Sequence, residues 1–186
     1  MEYERRQDSD HIMGYSRWKG ELDETDWSKF RVKIASKWIE GSSKVADLGC
    51  GTQILARSLD ASCKYSGYDI HNMNPRNILI DLNEDFDLGS VFDYAILLGV
   101  LEFLDDPFVT LASLQHQADE LILSYVFSKE SNLEIIEKRI SIGVLNHFGQ
   151  KEFLSGLESL GLSVLDRKVI WDRQEDEHII FHLEWA

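Results

Sequence analysis

The sequence has few cysteines and prolines, far fewer basic than acidic residues, and no long hydrophobic run. Its two cysteines, Cys50 and Cys63, are too few for a disulfide framework and have no metal-ligand spacing. The longest strongly apolar run, residues 95–101, is far shorter than the roughly 18 residues that span a bilayer. These absences exclude a disulfide-stabilised scaffold and an inserted membrane protein, and we expect a reducing, cytoplasmic location.

The shortage of basic residues limits the choice of partner. There are 33 acidic and 19 basic residues, and the formal net charge is −14. Such a surface repels phosphate backbones and anionic headgroups, so we expect nucleic acid not to be a partner. The first residues are charged and have no apolar segment, so we expect no secretory signal. The 186 residues suffice for one α/β domain, and we predict a single domain over residues 1–186.

The most informative stretch of the chain is a strand, a glycine turn and a helix. The apolar residues 44–48 predict a buried parallel strand, and residues 53–59 have an apolar face at helical spacing. Between them lies a tight turn with Asp47, Gly49 and Gly51. Glycine there lets a nucleotide-like ligand approach bare backbone. The alternative is a purely structural corner.

A second acidic residue has the spacing of a nucleotide-binding unit. Asp69 ends a second predicted strand and lies 18 residues after Gly51. An acid at this position commonly accepts hydrogen bonds from ribose hydroxyls. The alternative is a residue that only stabilises the turn after the strand.

The remaining elements alternate between strands and helices up to about residue 127, which predicts a parallel, doubly wound α/β sheet. The last two strands instead predict an antiparallel hairpin at the edge of the sheet. The predicted strands are 44–48, 64–70, 77–82, 92–98, one within 118–127, 163–171 and 178–185, and the predicted helices are 26–40, 53–59, 107–117, 131–142 and 150–160.

Several short motifs occur in one particular order along the chain. They are the Asp47-Leu-Gly-Cys-Gly turn, Asp69, Asp81-Leu82, Phe92-Asp93-Tyr94 and Val100-Leu101-Glu102. Together they resemble the class I methyltransferases that depend on S-adenosylmethionine (SAM), of the kind that acts on small molecules. The resemblance implies a Rossmann-like, mostly parallel seven-stranded sheet with an antiparallel C-terminal hairpin and helices on both faces. It also implies SAM as cofactor, S-adenosylhomocysteine (SAH) as product and a small-molecule acceptor.

The same resemblance implies residues for the methionine part of SAM. Gly49 and Gly51 would approach it, and Asp47 would support the loop and the cofactor's amino group. Leu98 and Gly99 would line the cofactor near the reacting methyl.

For the nucleoside part, the resemblance implies four further residues. Asp69 would hold the ribose, and Ile70 would lie against the adenine. Asp81 would meet the adenine amino group, and Leu82 would offer it a backbone amide.

Three positions depart from the family pattern. Gln53 stands where a third glycine is usual, and Phe103 stands where many relatives have a histidine. Leu98 ends the fourth predicted strand, where a polar residue is common. We therefore expect an unusually apolar acceptor side and leave the catalytic base unassigned.

Three side chains are weak candidates for a catalytic role. Tyr125 ends the fifth predicted strand, and His147 lies in the segment 128–149, a candidate cap for the acceptor site. Tyr15 lies in residues 1–25, a candidate lid. Each has an equally plain structural interpretation, as a core-edge tyrosine, a loop histidine or an anchor. We predict no metal site, because His178 and His182 are four apart in a strand rather than on a helix.

Two other functions remain alternatives to methyl transfer. A non-catalytic SAM- or SAH-binding protein on the same fold is suggested by Gln53, Leu98 and Phe103. An NAD-dependent oxidoreductase is disfavoured, because the dinucleotide fingerprint requires a glycine where this chain has Ile54. The acceptor and the oligomeric state are left open.

Overall fold

The computed structural model describes residues 26–129, 133–173 and 175–186. Its helices are α1 (Asp26–Ala35), α2 (Pro107–Ser113), α3 (Leu133–Ser141) and α4 (Gln150–Ser159). Its strands are β1 (Lys44–Leu48), β2 (Lys64–Asp69), β3 (Ile78–Leu79), β4 (Phe92–Leu98), β5 (Ala118–Ser128), β6 (Leu162–Asp172) and β7 (Asp176–Trp185).

These strands form one sheet in the order β3-β2-β1-β4-β5-β7-β6. Strands β1 to β5 pair in parallel, whereas β7 is antiparallel to both β5 and β6. The predicted Rossmann-like methyltransferase fold is therefore confirmed. Since parallel strands end at the same edge of a sheet, the turns after β1, β2, β3 and β4 lie side by side.

Apolar side chains bury both faces of the sheet. On one face α1 packs Val32 and Ala35 against Val45, Ile96 and Ile122. The other face contacts α2 and α4 through a larger cluster that includes Leu97, Leu121, Leu123, Leu111 and Phe153. Burial on both faces explains the nearly continuous apolar sequence of β4 and β5.

The helix predicted over residues 53–59 is wrong. The structure has only one 3-10 turn there, Leu55–Arg57. Gln53 adopts a φ of +61°, outside the helical range, so a helix cannot begin before Ile54. Ser58 already ends the turn, which leaves too few residues for an α-helix.

Other elements are shorter than predicted. The third strand is only Ile78–Leu79 instead of 77–82, because it is an edge strand whose side chains are exposed. Helix α1 ends at Ala35 rather than at residue 40. Helix α2 begins at Pro107, capped by the Asp106 side chain, but ends at Ser113 instead of 117.

Candidate cofactor and acceptor site

The predicted cofactor residues lie together at one edge of the sheet. Asp47, Gly49 and Gly51 lie at the end of β1, and Asp69 and Ile70 lie at the end of β2. Asp81 and Leu82 follow β3, Leu98 ends β4 and Gly99 follows it. The parallel pairing brings these separate stretches of sequence into one row of turns.

The glycine turn after β1 is held by the backbone of β2. The amides of Gly49 and Cys50 both donate to the carbonyl oxygen of Tyr68, at 2.8 and 3.0 Å. Gly49 and Gly51 have φ values of +74° and +52°, which favour glycine. A Cβ atom at Gly51 would have no neighbour within 4 Å, so this side of the turn is open to a ligand.

The Asp69 carboxylate connects the turn to the end of β2. It is buried, and its two oxygens accept the amide protons of Gly51 and His71, each at 2.8 Å. Each carboxylate oxygen has two acceptor sites, so capacity remains for a hydroxyl of a bound ligand. Ile70, next to it, is 46% exposed and offers an apolar surface beside that carboxylate.

Below the turn lies a second buried acid, Asp47. Tyr65 donates its hydroxyl proton to Asp47 Oδ2 at 2.6 Å. Burial raises the pKa of Asp47 to about 7, although the Tyr65 hydrogen bond opposes this and the charge of Asp69 adds to it. A cationic ligand near the turn would stabilise the ionised form of this carboxyl group.

Gln53 adopts a backbone conformation that favours glycine. Its φ is +61°, and its side chain is buried beneath the turn rather than on the open side of Gly51. Gln53 Nε2 donates to Asn77 Oδ1 at 2.8 Å, and Asn77 Nδ2 donates to the carbonyl oxygen of Gly51 at 3.0 Å. Gln53, which departs from the family motif, is thus linked through Asn77 to the turn, and Asn77 lies in the segment before β3.

Residues after β3 and β4 complete the row. Asp81 accepts the amide proton of Asn83 at 3.0 Å, and the carbonyl oxygen of Leu82 accepts the Thr110 hydroxyl at 2.9 Å. Leu98 ends β4, and the amide of Gly99 donates to Ser124 Oγ at 2.9 Å. The roles predicted for these residues toward SAM stay predictions.

Two of the catalytic candidates are held in internal hydrogen bonds. The Tyr125 hydroxyl donates to Asn146 Oδ1 at 2.6 Å and accepts the Phe148 amide proton at 3.1 Å, inside an aromatic cluster. His147 Nδ1 accepts from Arg139 Nε at 3.1 Å. These contacts favour a structural role for Tyr125. Tyr15, with the proposed lid over residues 1–25, lies outside the described residues.

A cluster of buried and partly buried polar side chains near Gly99 was not predicted from the sequence. It consists of Arg31, Glu102, Arg139, His147 and His178, and we call it the acceptor-side cluster. Arg31 lies on α1 four residues before the buried Ala35, where an apolar residue is expected, and this is the signal that could have indicated it. The sequence suggested for His178 only a comparison with His182 as a possible metal ligand.

Among the described residues, no group of three or more His, Cys, Asp or Glu side chains is arranged to bind a metal.

The sequence of the chain matches a known protein family. A family model described as "Methyltransferase domain" matches residues 20–164, which is most of the chain. The chain therefore belongs to this methyltransferase family, and the resemblance to class I methyltransferases is confirmed. Among curated proteins, none matches the sequence significantly.

Solved structures with the same fold include two methyltransferases. The Burkholderia thailandensis 1,6-didemethyltoxoflavin-N1-methyltransferase, with its substrate and SAH bound, has a TM-score of 0.72 at 16% identity, covering 96% of this chain and 86% of that one. The magnesium protoporphyrin IX methyltransferase of Synechocystis PCC 6803, with SAH bound, has a TM-score of 0.62 at 20% identity, covering 96% and 95%.

A third similar structure performs different chemistry. The cyclase SpnF has a TM-score of 0.70 at 12% identity, covering 91% of this chain and 85% of that one. At such identities the likeness establishes the fold alone.

In the described part of the chain, no helix is long and apolar enough to cross a bilayer.

Replacement of Gln53 by glycine tests the altered motif. Because the side chain is directed to Asn77 and not into the open space, we expect Gln53→Gly to leave SAH affinity within about threefold of wild type. Relief of the positive φ and loss of the hydrogen bond are each worth about 1 kcal/mol, so the free energy of unfolding should change little.

Isothermal titration with SAH, together with urea unfolding, measures both effects. Asn77→Ala is the comparison variant, since it removes the partner of Gln53 without relieving the backbone. It also removes the hydrogen bonds from Asn77 to the carbonyl oxygens of Gly51 and His71, so it should destabilise by about 1–3 kcal/mol. SAH binding at least tenfold tighter in Gln53→Gly would contradict this interpretation and would show that Gln53 obstructs the ligand.

Proposed function

We propose that this protein transfers a methyl group from SAM to a small or medium-sized acceptor and releases SAH. The observation that carries the proposal is the open glycine turn at Gly51, fastened to the buried Asp69 at 2.8 Å. Bare backbone next to a carboxylate, at the carboxyl ends of adjacent parallel strands, suits a ligand with a ribose and a charged tail. Membership of the methyltransferase family supports the same cofactor.

The residues of the turn fit the parts of this cofactor. Asp69 has free acceptor sites for ribose hydroxyls, and Ile70 provides an apolar face for the adenine. Asp47 lies beneath the turn with a pKa raised to about 7 by burial, and it gains stabilisation when a cation binds nearby.

Methyl transfer requires little chemistry from the protein. SAM supplies a methyl group already activated by its sulfonium. The protein has to hold the acceptor atom in line at about 3 Å and keep water out. The ends of β4 and β5 are suited to this task, because Leu97 and Ser124 are fully buried and Leu98 is partly buried. An acceptor with a high pKa would also need a base, for which His147 is the remaining described candidate.

Two measurements test this function. Equilibrium binding should give micromolar affinity for SAM and SAH and none for NAD, and turnover with an acceptor panel should release SAH. Failure of both SAM and SAH to bind would reject the proposal, and NAD binding would favour an oxidoreductase.

A non-catalytic SAM- or SAH-binding protein is the second candidate. It is favoured by the Tyr125 hydroxyl, which is engaged with Asn146 inside the core, and by Phe103 at the position of a familiar base. Tight SAH binding without turnover on a broad acceptor panel would support it. The cytoplasmic location, the single domain and the absence of a nucleic-acid partner stay predictions.

A further inference from the structure

Arg31 is a partly buried cation on α1 that lies at the end of β4. A Cβ atom built on Gly99 would lie 3.0 Å from Cζ, Nη1 and Nη2 of Arg31, so the guanidinium lies directly against this glycine. Gly99 has a φ of +73° and presents bare backbone there. The guanidinium is therefore placed beside the residues expected near the reacting methyl.

The hydrogen-bonding capacity of Arg31 is largely unused. Nη2 donates to Ser28 Oγ at 3.3 Å, and Nε is buried without a partner in the described part of the chain. Leaving a buried donor of a charged group unsatisfied is costly, and native proteins rarely do so without a functional reason. Burial also lowers the pKa of Arg31, opposed by the charge of Glu102.

His178 provides a second buried donor, and an acceptor, without partners among the described residues. It is fully buried on β7, and both ring nitrogens lack a hydrogen-bond partner among the described residues. Its strand partner is Val126, which lies on the same face as Ser124, the residue bonded to the Gly99 amide. Burial lowers the pKa of His178 to about 3, and the charge of Arg31 lowers it further, so the ring is neutral.

The acceptor-side cluster has more positive than negative charge. Arg31 and Arg139 are two cations, Glu102 is one buried acid, and burial lowers the pKa values of His147 and His178 toward the neutral form. Glu102 Oε1 accepts the Val126 amide at 2.9 Å, and no ion pair within 4.0 Å joins Glu102 to Arg31 in residues 26–129. Among the residues that the structure describes, the two cations of the cluster therefore share a single acid, although the chain as a whole carries −14.

The position of the cluster indicates which ligand would supply a further counterion. The glycine turn follows β1, and Asp69 ends β2. Ser124 and His178 belong to β5 and β7, and Arg31 lies against Gly99 at the end of β4. The cluster is thus on the far side of Gly99 from the ribose carboxylate. A sulfonium bound nearby would add another positive charge, which an anionic group on the acceptor would offset.

We propose that the acceptor carries a carboxylate and that Arg31 binds it, with His178 as an additional neutral donor. This assignment of a substrate class rests on the proposed function. A planar carboxylate matches the two-donor edge of a guanidinium, and such charge-assisted pairs are among the strongest hydrogen bonds in proteins. The methionine carboxylate of the cofactor has the same chemistry, and the experiment separates the two sources.

The experiment titrates benzoate and its neutral analogue benzamide onto the SAH complex of wild type, Arg31→Gln and Arg31→Lys. We expect benzoate to bind wild type at least about tenfold more tightly than benzamide, and we expect Arg31→Gln to abolish this preference. Arg31→Lys should retain part of it. Lys33→Gln, the same charge change at an exposed position of the same helix, should leave it intact.

A second titration identifies the source of the carboxylate. SAH and 5′-methylthioadenosine, which lacks the amino acid part, should each bind Arg31→Gln as they bind wild type. If Arg31→Gln loses SAH but not methylthioadenosine, the carboxylate is the cofactor's own and the proposal is overturned. It is equally overturned if wild type does not prefer benzoate. Failure of wild type to bind SAH would instead reject the proposed function.

Discussion

Gly49→Ala should lower the free energy of unfolding by about 2–4 kcal/mol. Two costs add. The φ of +74° costs alanine about 1–2 kcal/mol, and a Cβ would lie 2.4 Å from Val100 Cγ2, so the Val100 side chain or the turn must move. For a chain of this size, the melting temperature should fall by roughly 5–15 °C.

Gly51→Ala is the matched control for this substitution. Its φ is also positive, at +52°, but the added Cβ meets no atom within 4 Å. We therefore expect a loss of only about 1–2 kcal/mol, from backbone strain alone. Thermal unfolding is measured for both variants and for the double variant Gly49→Ala, Val100→Ala. The comparison separates the backbone strain from the clash with the Val100 side chain. Equal destabilisation by Gly49→Ala and Gly51→Ala would show that the contact with Val100 is unimportant.

The Gly51→Ala variant also tests where the ligand binds. The Cβ of Gly51→Ala would project into the open space that we assign to the cofactor. This variant should therefore lose SAH affinity by more than its modest loss of stability implies. A folded Gly51→Ala protein with wild-type SAH affinity would place the ligand elsewhere.

Asp69→Asn should have the largest effect on cofactor binding. The carboxylate holds the amides of Gly51 and His71 and has acceptor sites left for the ribose. An asparagine of the same size turns one acceptor into a donor, which opposes a backbone amide and weakens both the turn and the ribose contact. Hydrogen bonds to charged groups are worth about 1.5–3 kcal/mol, so SAH affinity should fall about 10- to 150-fold.

Calorimetric titration with SAH and with 5′-methylthioadenosine measures this loss, and both ligands should be affected because both contain the ribose. Asp85→Asn, the same change at an exposed position, controls for the loss of one negative charge. Circular dichroism and thermal unfolding establish that Asp69→Asn is folded at the titration temperature. Unchanged affinity for both nucleosides in the folded variant would refute the assignment of Asp69 to the ribose.

The local sequence was a reliable guide wherever one stretch of residues sufficed. The bounds of β1 and β4 were predicted correctly, since buried parallel strands need continuous apolar runs and few other elements do. Elements that depend on their surroundings were predicted less well. The strand β3 is two residues long because it has a neighbour on only one side, and this is a property of the sheet.

The candidate site divides in the same way. The glycine turn and Asp69 could be found from the sequence, because backbone approach and ribose binding require particular residue types at nearly constant spacing. The acceptor-side cluster could not, because Arg31, Glu102 and His178 belong to distant segments and no spacing rule relates them. Only the packing of α1 over β4 and β7 brings them near one another.

By itself, the sequence determined the fold class, the family and the position of the glycine turn. These depend on local patterns of apolar, glycine and acidic residues. The tertiary structure decided that Gln53 has a positive φ and bonds to Asn77, and that Tyr125 bonds to Asn146 within the core. It also decided that Arg31 lies against Gly99. Such contacts join residues far apart in the chain, and their geometry exists only once the sheet and its covering helices have assembled.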